Sequence, residues 1–397
     1  MRHQSLKICV AVLVIALAVP AANAGDFGVI LNQGYTLTDP VYSNYFITAL
    51  PWFSAPLGEN ADVYLSAGAG TDYDNGSWSF IYEVYRFELN WNLAPALSLG
   101  IGRRNFNDSL GLIMTGLFDG VSATAGINGG RLDMGMFYTG LLFKKTASIT
   151  MSMEDQIGYH DSDVYFAPRR LAGGVNWEKT SIMDSETNFW FSGIFQVDLN
   201  DANVKIHSQY LASKFAFPLG EIGNFGAGAA LELIEETDQN FRAAFAVAAD
   251  FQWIFSGKSQ SMLSAGARFS SGDWADGITA FIPLTGEVQG KVLRPNLSGI
   301  ALVQADYVTR LSEGLFMEAY AAYLFRTDLV HFDTPGMDPA SKSPFMGGEL
   351  YLGFSWSPLS DLIFSLGGGM FLPQMGNVFS GDAGIKYRLE ITAGISL

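Results

Sequence analysis

The sequence predicts an all-β protein, a transmembrane antiparallel up-and-down β-barrel of 18 strands with 16 as the alternative count. Three observations carry that prediction. Apolar residues recur with period two over stretches longer than the ~5–6 residues of a usual soluble strand. After the first 24 residues no stretch approaches the ~18–20 uninterrupted apolar residues of a spanning helix. Short Pro- or Gly-bearing turns that follow an aromatic residue alternate with long polar segments, the two-sided connectivity of an outer-membrane barrel.

Composition agrees. Of 397 residues 49% are hydrophobic and 14% aromatic, and only 16% are charged, against ~25% in ordinary soluble domains. The net charge of −16 and the single cysteine, Cys9, exclude a basic nucleic-acid binder and a disulfide scaffold. A soluble β-sandwich would also alternate, but long strands with small and charged residues opposite the apolar face suit a wall between lipid and water.

Taken in chain order, Arg2, His3 and Lys7 precede an apolar run from Ile8 to Val19 and the small residues Ala22-Asn23-Ala24. This reads as a secretory signal peptide over 1–24, leaving a barrel over 25–397. Without Arg2 and Lys7, 21 basic residues face 39 acidic ones, a net −18. Phe53 to Gly58 is the first aromatic-led turn, and Trp91-Asn92-Leu93-Ala94-Pro95, Phe217-Pro218-Leu219-Gly220 and Trp356-Ser357-Pro358-Leu359-Ser360 repeat it. Pro sets φ in such turns, and the ring before it belongs at headgroup level. The longer segments Thr71–Ser77, Asn105–Gly116, Gly272–Asn296 and Asp328–Phe345 are the expected outer loops. Between them the clearest strands place Phe241, Phe245, Val247, Phe251 and Trp253 on one face, then Leu315, Met317, Ala319 and Tyr323, then Leu350, Leu352, Phe354 and Trp356. The last strand alternates Tyr387, Leu389, Ile391 and Ile395 with Lys386, Arg388 and Glu390. Segmentation gives 17 to 19 strands, and the region Lys144–Asp163 leaves the count least secure. An even number is required if both ends lie in the periplasm.

If the apolar face meets lipid, parity assigns the lumen face. A charge facing hydrocarbon costs ~2–4 kcal/mol at the midplane. Parity therefore sends Arg86, Arg104, Arg131, Arg170, Arg242, Arg268, Arg310, Arg326 and Arg388 inward, with Lys386. The acids of the same parity are Glu88, Asp133, Asp198, Glu232, Asp250, Asp306, Glu318, Glu349 and Glu390. The inward faces are thus nearly balanced, and the negative excess belongs to loops and turns. Such Arg–acid rows either line a passage or brace neighbouring strands.

Other chemistry is thin. His160, His207 and His331 do not sit in a nucleophile constellation, since His207 and Ser208 are adjacent in a strand and point to opposite faces. Asp72, Asp74, Asn75 and Gly76, and Asp161 with Asp163, lack the spacing of a dedicated calcium loop and read as solvated turns. No enzyme activity, cofactor or metal is expected.

Two stretches resemble the alginate-export family of outer-membrane channels. One is Gly102-Arg103-Arg104-Asn105-Phe106 with Asp108 and Leu117-Phe118-Asp119-Gly120-Val121; the other is Ser270-Ser271-Gly272-Asp273 with Phe281 and Asn296-Leu297. The resemblance implies 18 strands and an electropositive constriction that includes Arg104. The nine inward acids and the terminal Leu397 depart from the family pattern.

The expectation is a porin-like channel in the bacterial outer membrane, passing small hydrophilic solutes, anions and carbohydrates among them, as a monomer or a trimer. Its partners would be outer-membrane lipid and those solutes, with no nucleic acid. Gly272–Asn296, with Trp274, Phe281 and Pro283, is the expected loop into the lumen. The alternatives are a hydrophobic-solute transporter of the fatty-acid type and a structural or adhesion barrel with an occluded lumen.

Overall fold

The computed structural model describes residues 25–397 except positions 40, 41, 75, 183–185, 203, 238, 258, 275, 276, 287, 333, 335 and 382. The signal peptide expected at 1–24, with Cys9, lies outside the described residues.

Alternation gives strands because successive side chains on extended backbone face opposite ways. Eighteen form: β1 (Asp26–Thr38), β2 (Tyr42–Pro56), β3 (Ala61–Asp74), β4 (Ser77–Ala94), β5 (Leu97–Asn107), β6 (Thr115–Ile127), β7 (Gly130–Tyr138), β8 (Arg170–Lys179) and β9 (Asn188–Asp198). The second half holds β10 (Ile206–Leu219), β11 (Gly223–Glu236), β12 (Arg242–Ile254), β13 (Met262–Ser270), β14 (Ile300–Ser312), β15 (Leu315–Arg326), β16 (Phe345–Leu359), β17 (Leu362–Leu372) and β18 (Lys386–Ser396). Each pairs antiparallel with its sequence neighbours, and β18 closes on β1 through Ile30↔Ser396 to Thr38↔Arg388. Closure removes the sheet edge that lipid would not tolerate. No described helix is long and apolar enough to cross a membrane.

Val247, Leu352 and Ile391 face outward as parity put them, and other strands follow the same rule. Leu31, Val121, Phe215, Leu231, Val247, Leu352 and Ile391 are all exposed large hydrophobics on the outer surface, a continuous apolar band that only lipid or another apolar surface would cover. Phe53, Trp91, Phe217 and Trp356 sit at one rim, beside the short connections 57–60, 95–96, 220–222 and 360–361. All four aromatic-led turns are therefore on one side. Connections 108–114, 139–169, 271–299, 327–344 and 373–385 are on the other.

Two details differ from the sequence expectation. Thr71–Ser77 is no long loop, because β3 runs to Asp74 and β4 starts at Ser77. The uncertain region 144–163 adds no strand and holds two short helices, α1 (Lys144–Ala147) and α2 (Met153–His160). Helix α2 starts with a reciprocal cap: the Ser152 hydroxyl accepts from Asp155 N–H at 3.1 Å, and Asp155 accepts from Ser152 N–H at 3.0 Å.

The interior is not the uniformly wet lumen that alternation implies. Phe281, Leu284 and Leu297 of loop 271–299, Ile113 and Met114 of loop 108–114, and Ile149 of loop 139–169 are fully buried. They form one apolar cluster with the inward residues Phe118, Phe137, Ala172, Tyr210, Ala230 and Ala244. Alternation specifies which face is inward, but loops of sufficient length can fill that face with their own apolar residues.

Candidate pore and its loops

The core is built by three loops that meet inside the barrel. Loop 271–299 leaves β13, and its Ile282 N–H donates to the Glu232 carboxylate of β11 at 2.7 Å while Tyr210 Oη donates to the Ile282 carbonyl at 2.6 Å. The loop then reaches the opposite wall: Thr285 N–H bonds the Ile113 carbonyl at 3.2 Å, and Gly286 N–H bonds the Ser148 carbonyl at 2.8 Å. It returns to β16, where Glu349 accepts three successive N–H groups, from Lys291 at 2.6 Å and from Val292 and Leu293 at 3.2 Å each. A buried carboxylate satisfied by three amides is a strong clasp. Gly290 makes it possible, with φ +79° and a carboxylate oxygen 2.4 Å from where a Cβ would stand.

The other two loops have carboxylate anchors of their own. Asp108 accepts from the N–H groups of Leu110, Ile113 and Met114 at 2.8 to 2.9 Å, which turns 108–114 inward. Arg170 of β8 is wholly buried and bonds Asp155 of α2 at 2.5 Å, Asp198 of β9 at 3.2 Å and Gln196 Oε1 at 2.8 Å. Helix α2 is thereby pinned over β8 and β9.

These contacts sort the inward residues into two groups. Arg170, Asp198, Glu232 and Glu349 are buried and hold loops or strand ends, as does Arg326, whose Nε bonds the Ser343 carbonyl at 2.8 Å. The others remain partly open, except Glu88, which is buried. Arg86 pairs with Glu88 at 2.6 Å and lies 4.8 Å over the Tyr64 ring. Arg131 pairs with Asp133 at 2.8 Å near the short-turn rim, and Arg242 pairs with Glu236 at 2.5 Å near the long-loop rim. Arg268 faces Asp250 at 3.7 Å, and Arg310 Nε bonds the Ser312 carbonyl at 3.3 Å. Arg104 folds back over Gly100, where any Cβ would collide with its guanidinium. Asp306 and Glu318 stand side by side on β14 and β15, near Lys291. Lys386 lies 4.9 Å over the Phe379 ring.

Because loop 271–299 spans from β13 to the 108–114 and 139–148 segments, the inward faces of β6 to β16 are largely covered. Those of β17, β18 and β1 to β3 are far less so. Where the loop meets β18, Arg388 bonds Glu390, and Arg294 Nη1 stands 3.9 Å from the same Glu390. Arg294 holds φ +52°, a conformation costly for a residue with a Cβ. Burial and then the neighbouring Arg388 charge hold its guanidinium pKa below the ordinary range. Lys291 reaches Glu318 at 2.8 Å, and Tyr159 of α2 faces Arg294 from across.

Strand parity could not find Arg294, Lys291 or Tyr159, because they lie in loops. Asp155 had a signal, the Ser152-x-x-Asp155 spacing of a capping box. Arg103 is another omission, with outward parity but buried. His207 accepts the Asp198 N–H at 3.1 Å, a structural role. No cluster of metal-binding side chains occurs among the described residues.

No protein-family model and no curated protein sequence matches the chain. Solved structures do. Pseudomonas aeruginosa OpdQ superposes with a TM-score of 0.62 at 14% identity, over 94% of this chain and 99% of that one. P. aeruginosa OprD gives 0.59 at 13%, over 94% and 95%. The outer membrane protein OpdK of the same organism, solved with vanillate, gives 0.62 at 12%, over 94% and 98%. At such identities the likeness is one of fold: this chain, with its closed 18-stranded sheet, shares the fold of OpdQ, OprD and OpdK. The alginate-export resemblance is not shown by these comparisons, and the residues behind it have local structural reasons. Gly102 marks a fork between strands, and Ser270 and Ser271 bond the carbonyls of Ile300 and Thr279 at 2.9 and 2.8 Å.

Proposed function

We propose that the protein is a passive outer-membrane channel for small hydrophilic solutes, carboxylate-bearing anions foremost, with no covalent chemistry. The observation that carries this reading is the lumen-crossing loop that sets Arg294 beside Arg388 and Glu390. Two guanidinium groups share one carboxylate there. The surplus positive charge is confined to a narrow, partly desolvated opening, where a single charge weighs heavily on what passes. Planar guanidinium groups also match a carboxylate in two-point geometry. The vanillate bound by OpdK, itself a small carboxylate, agrees with this class.

The test is the reversal potential of the purified protein in planar bilayers under a KCl gradient. Anion preference is expected, and Arg294→Ala should move the potential toward cations with the barrel intact. A wild-type channel that prefers cations, or an Arg294→Ala channel with unchanged potential, would sink the assignment.

A further inference from the structure

The wall has one junction unlike the rest. The β4–β5 ladder ends at Phe87↔Arg103, although β4 continues to Ser77 and β5 to Asn107. At no other junction among the described residues do both strands run on so far past their last pair. Gly102 sits at the fork with φ +120°, and the Phe87 carbonyl oxygen lies 2.2 Å from where a Cβ would stand. Counting up from Trp91 at the inner rim, a spanning strand of ~9–11 residues reaches about Tyr82. The unpaired stretch therefore begins inside the lipid-facing band, in its outer half.

An open strand edge in hydrocarbon is not tolerated unless protein, water or a solute covers it. Two side chains stitch part of it. The Arg103 guanidinium bonds the Val84 carbonyl and the Glu83 carboxylate of β4, Asp119 of β6 at 2.8 Å and the Leu141 carbonyl of loop 139–169 at 3.0 Å. Tyr165 Oη bonds the Tyr82 carbonyl at 2.6 Å. The amides of Phe80, Tyr82 and Val84 have no partner on that side among the described residues. Polar edge and ion cluster thus adjoin exposed apolar groups, Phe80 and Leu141.

We propose that the outer β4–β5 seam is a side portal through the wall, by which a single-chain amphiphile passes between the lumen and the outer-leaflet lipid. The polar end follows the unpaired edge and the ion cluster while the chain lies on Phe80 and Leu141. Arg103 is the pin: it bonds β4, β6 and loop 139–169 at once, so displacing it loosens the seam and leaves the loop held to β4 by weaker ties such as the Tyr165–Tyr82 bond. This inference does not depend on which solute uses the axial passage.

Full-length protein in bilayers should be photolabelled with dodecanoic acid bearing a chain diazirine and mapped by mass spectrometry. Labelling is expected to concentrate at Tyr82, Val84 and Leu141 and to fall several-fold there, but not at Val121 on the plain wall, when unlabelled dodecanoate is added. Arg103→Met should raise labelling at the seam. Labelling spread evenly over the lipid face, without competition, would overturn the portal, and so would an unlabelled seam. The wild-type map decides the matter even if the variant does not fold.

Discussion

Glu349 and Arg170 show what buried charges do in this barrel. Each satisfies groups on a loop that has no ladder of its own, and each was placed by parity alone on the inward face. Removing one member of a buried, hydrogen-bonded charge set costs about 3–5 kcal/mol, since the remaining charges lose their partner. Arg170→Ala leaves Asp155 and Asp198 facing one another, so α2 should detach. The expected outcome is rapid proteolysis within 139–169 while the β-sheet circular dichroism stays unchanged; a loop as resistant as wild type would refute the anchoring role. Glu349→Ala strands three amides and lets 290–294 move. Single-channel recordings should then show increased open-channel noise and weaker anion preference, because Arg294 is no longer held beside Glu390.

Under the proposed function, loop 271–299 is the element that sets conduction. It crosses the lumen through contacts with β11, with segments 108–114 and 139–148, and with β16, and its apolar residues close the space it crosses. Excising 279–296 and joining the ends with a short Gly-Ser linker should raise single-channel conductance several-fold, with ion selectivity falling. Unchanged conductance would show that the loop does not define the passage. The loop's inward path was legible from its length and from Trp274, Phe281 and Pro283. Its contact points were not, since Glu232 and Glu349 look in sequence like any other inward acids. Helix α2 was missed altogether, because eight residues within a polar segment carry little periodic signal.

For the whole molecule, the two faces of the wall should respond oppositely to the same substitution. Val121→Arg puts a cation into the lipid-facing band and should cost about 2–4 kcal/mol near the midplane. Ser122→Arg, one position on, faces the lumen and should cost far less. Urea titration of folding into vesicles measures both; equal costs would contradict the assignment of faces. Period-two alternation and aromatic-led turns were enough to predict a barrel of 18 strands, with 16 as the alternative, and its two rims, and parity gave an expected set of inward residues. Those are local properties, written by the alternation of side chains along extended backbone. Which inward charges stay open to water, and which are consumed in fastening loops, depends on contacts between residues far apart in the chain. Arg170 meets Asp155, Glu349 meets Lys291 and Arg294 meets Glu390 only once the barrel has closed and the loops have packed within it.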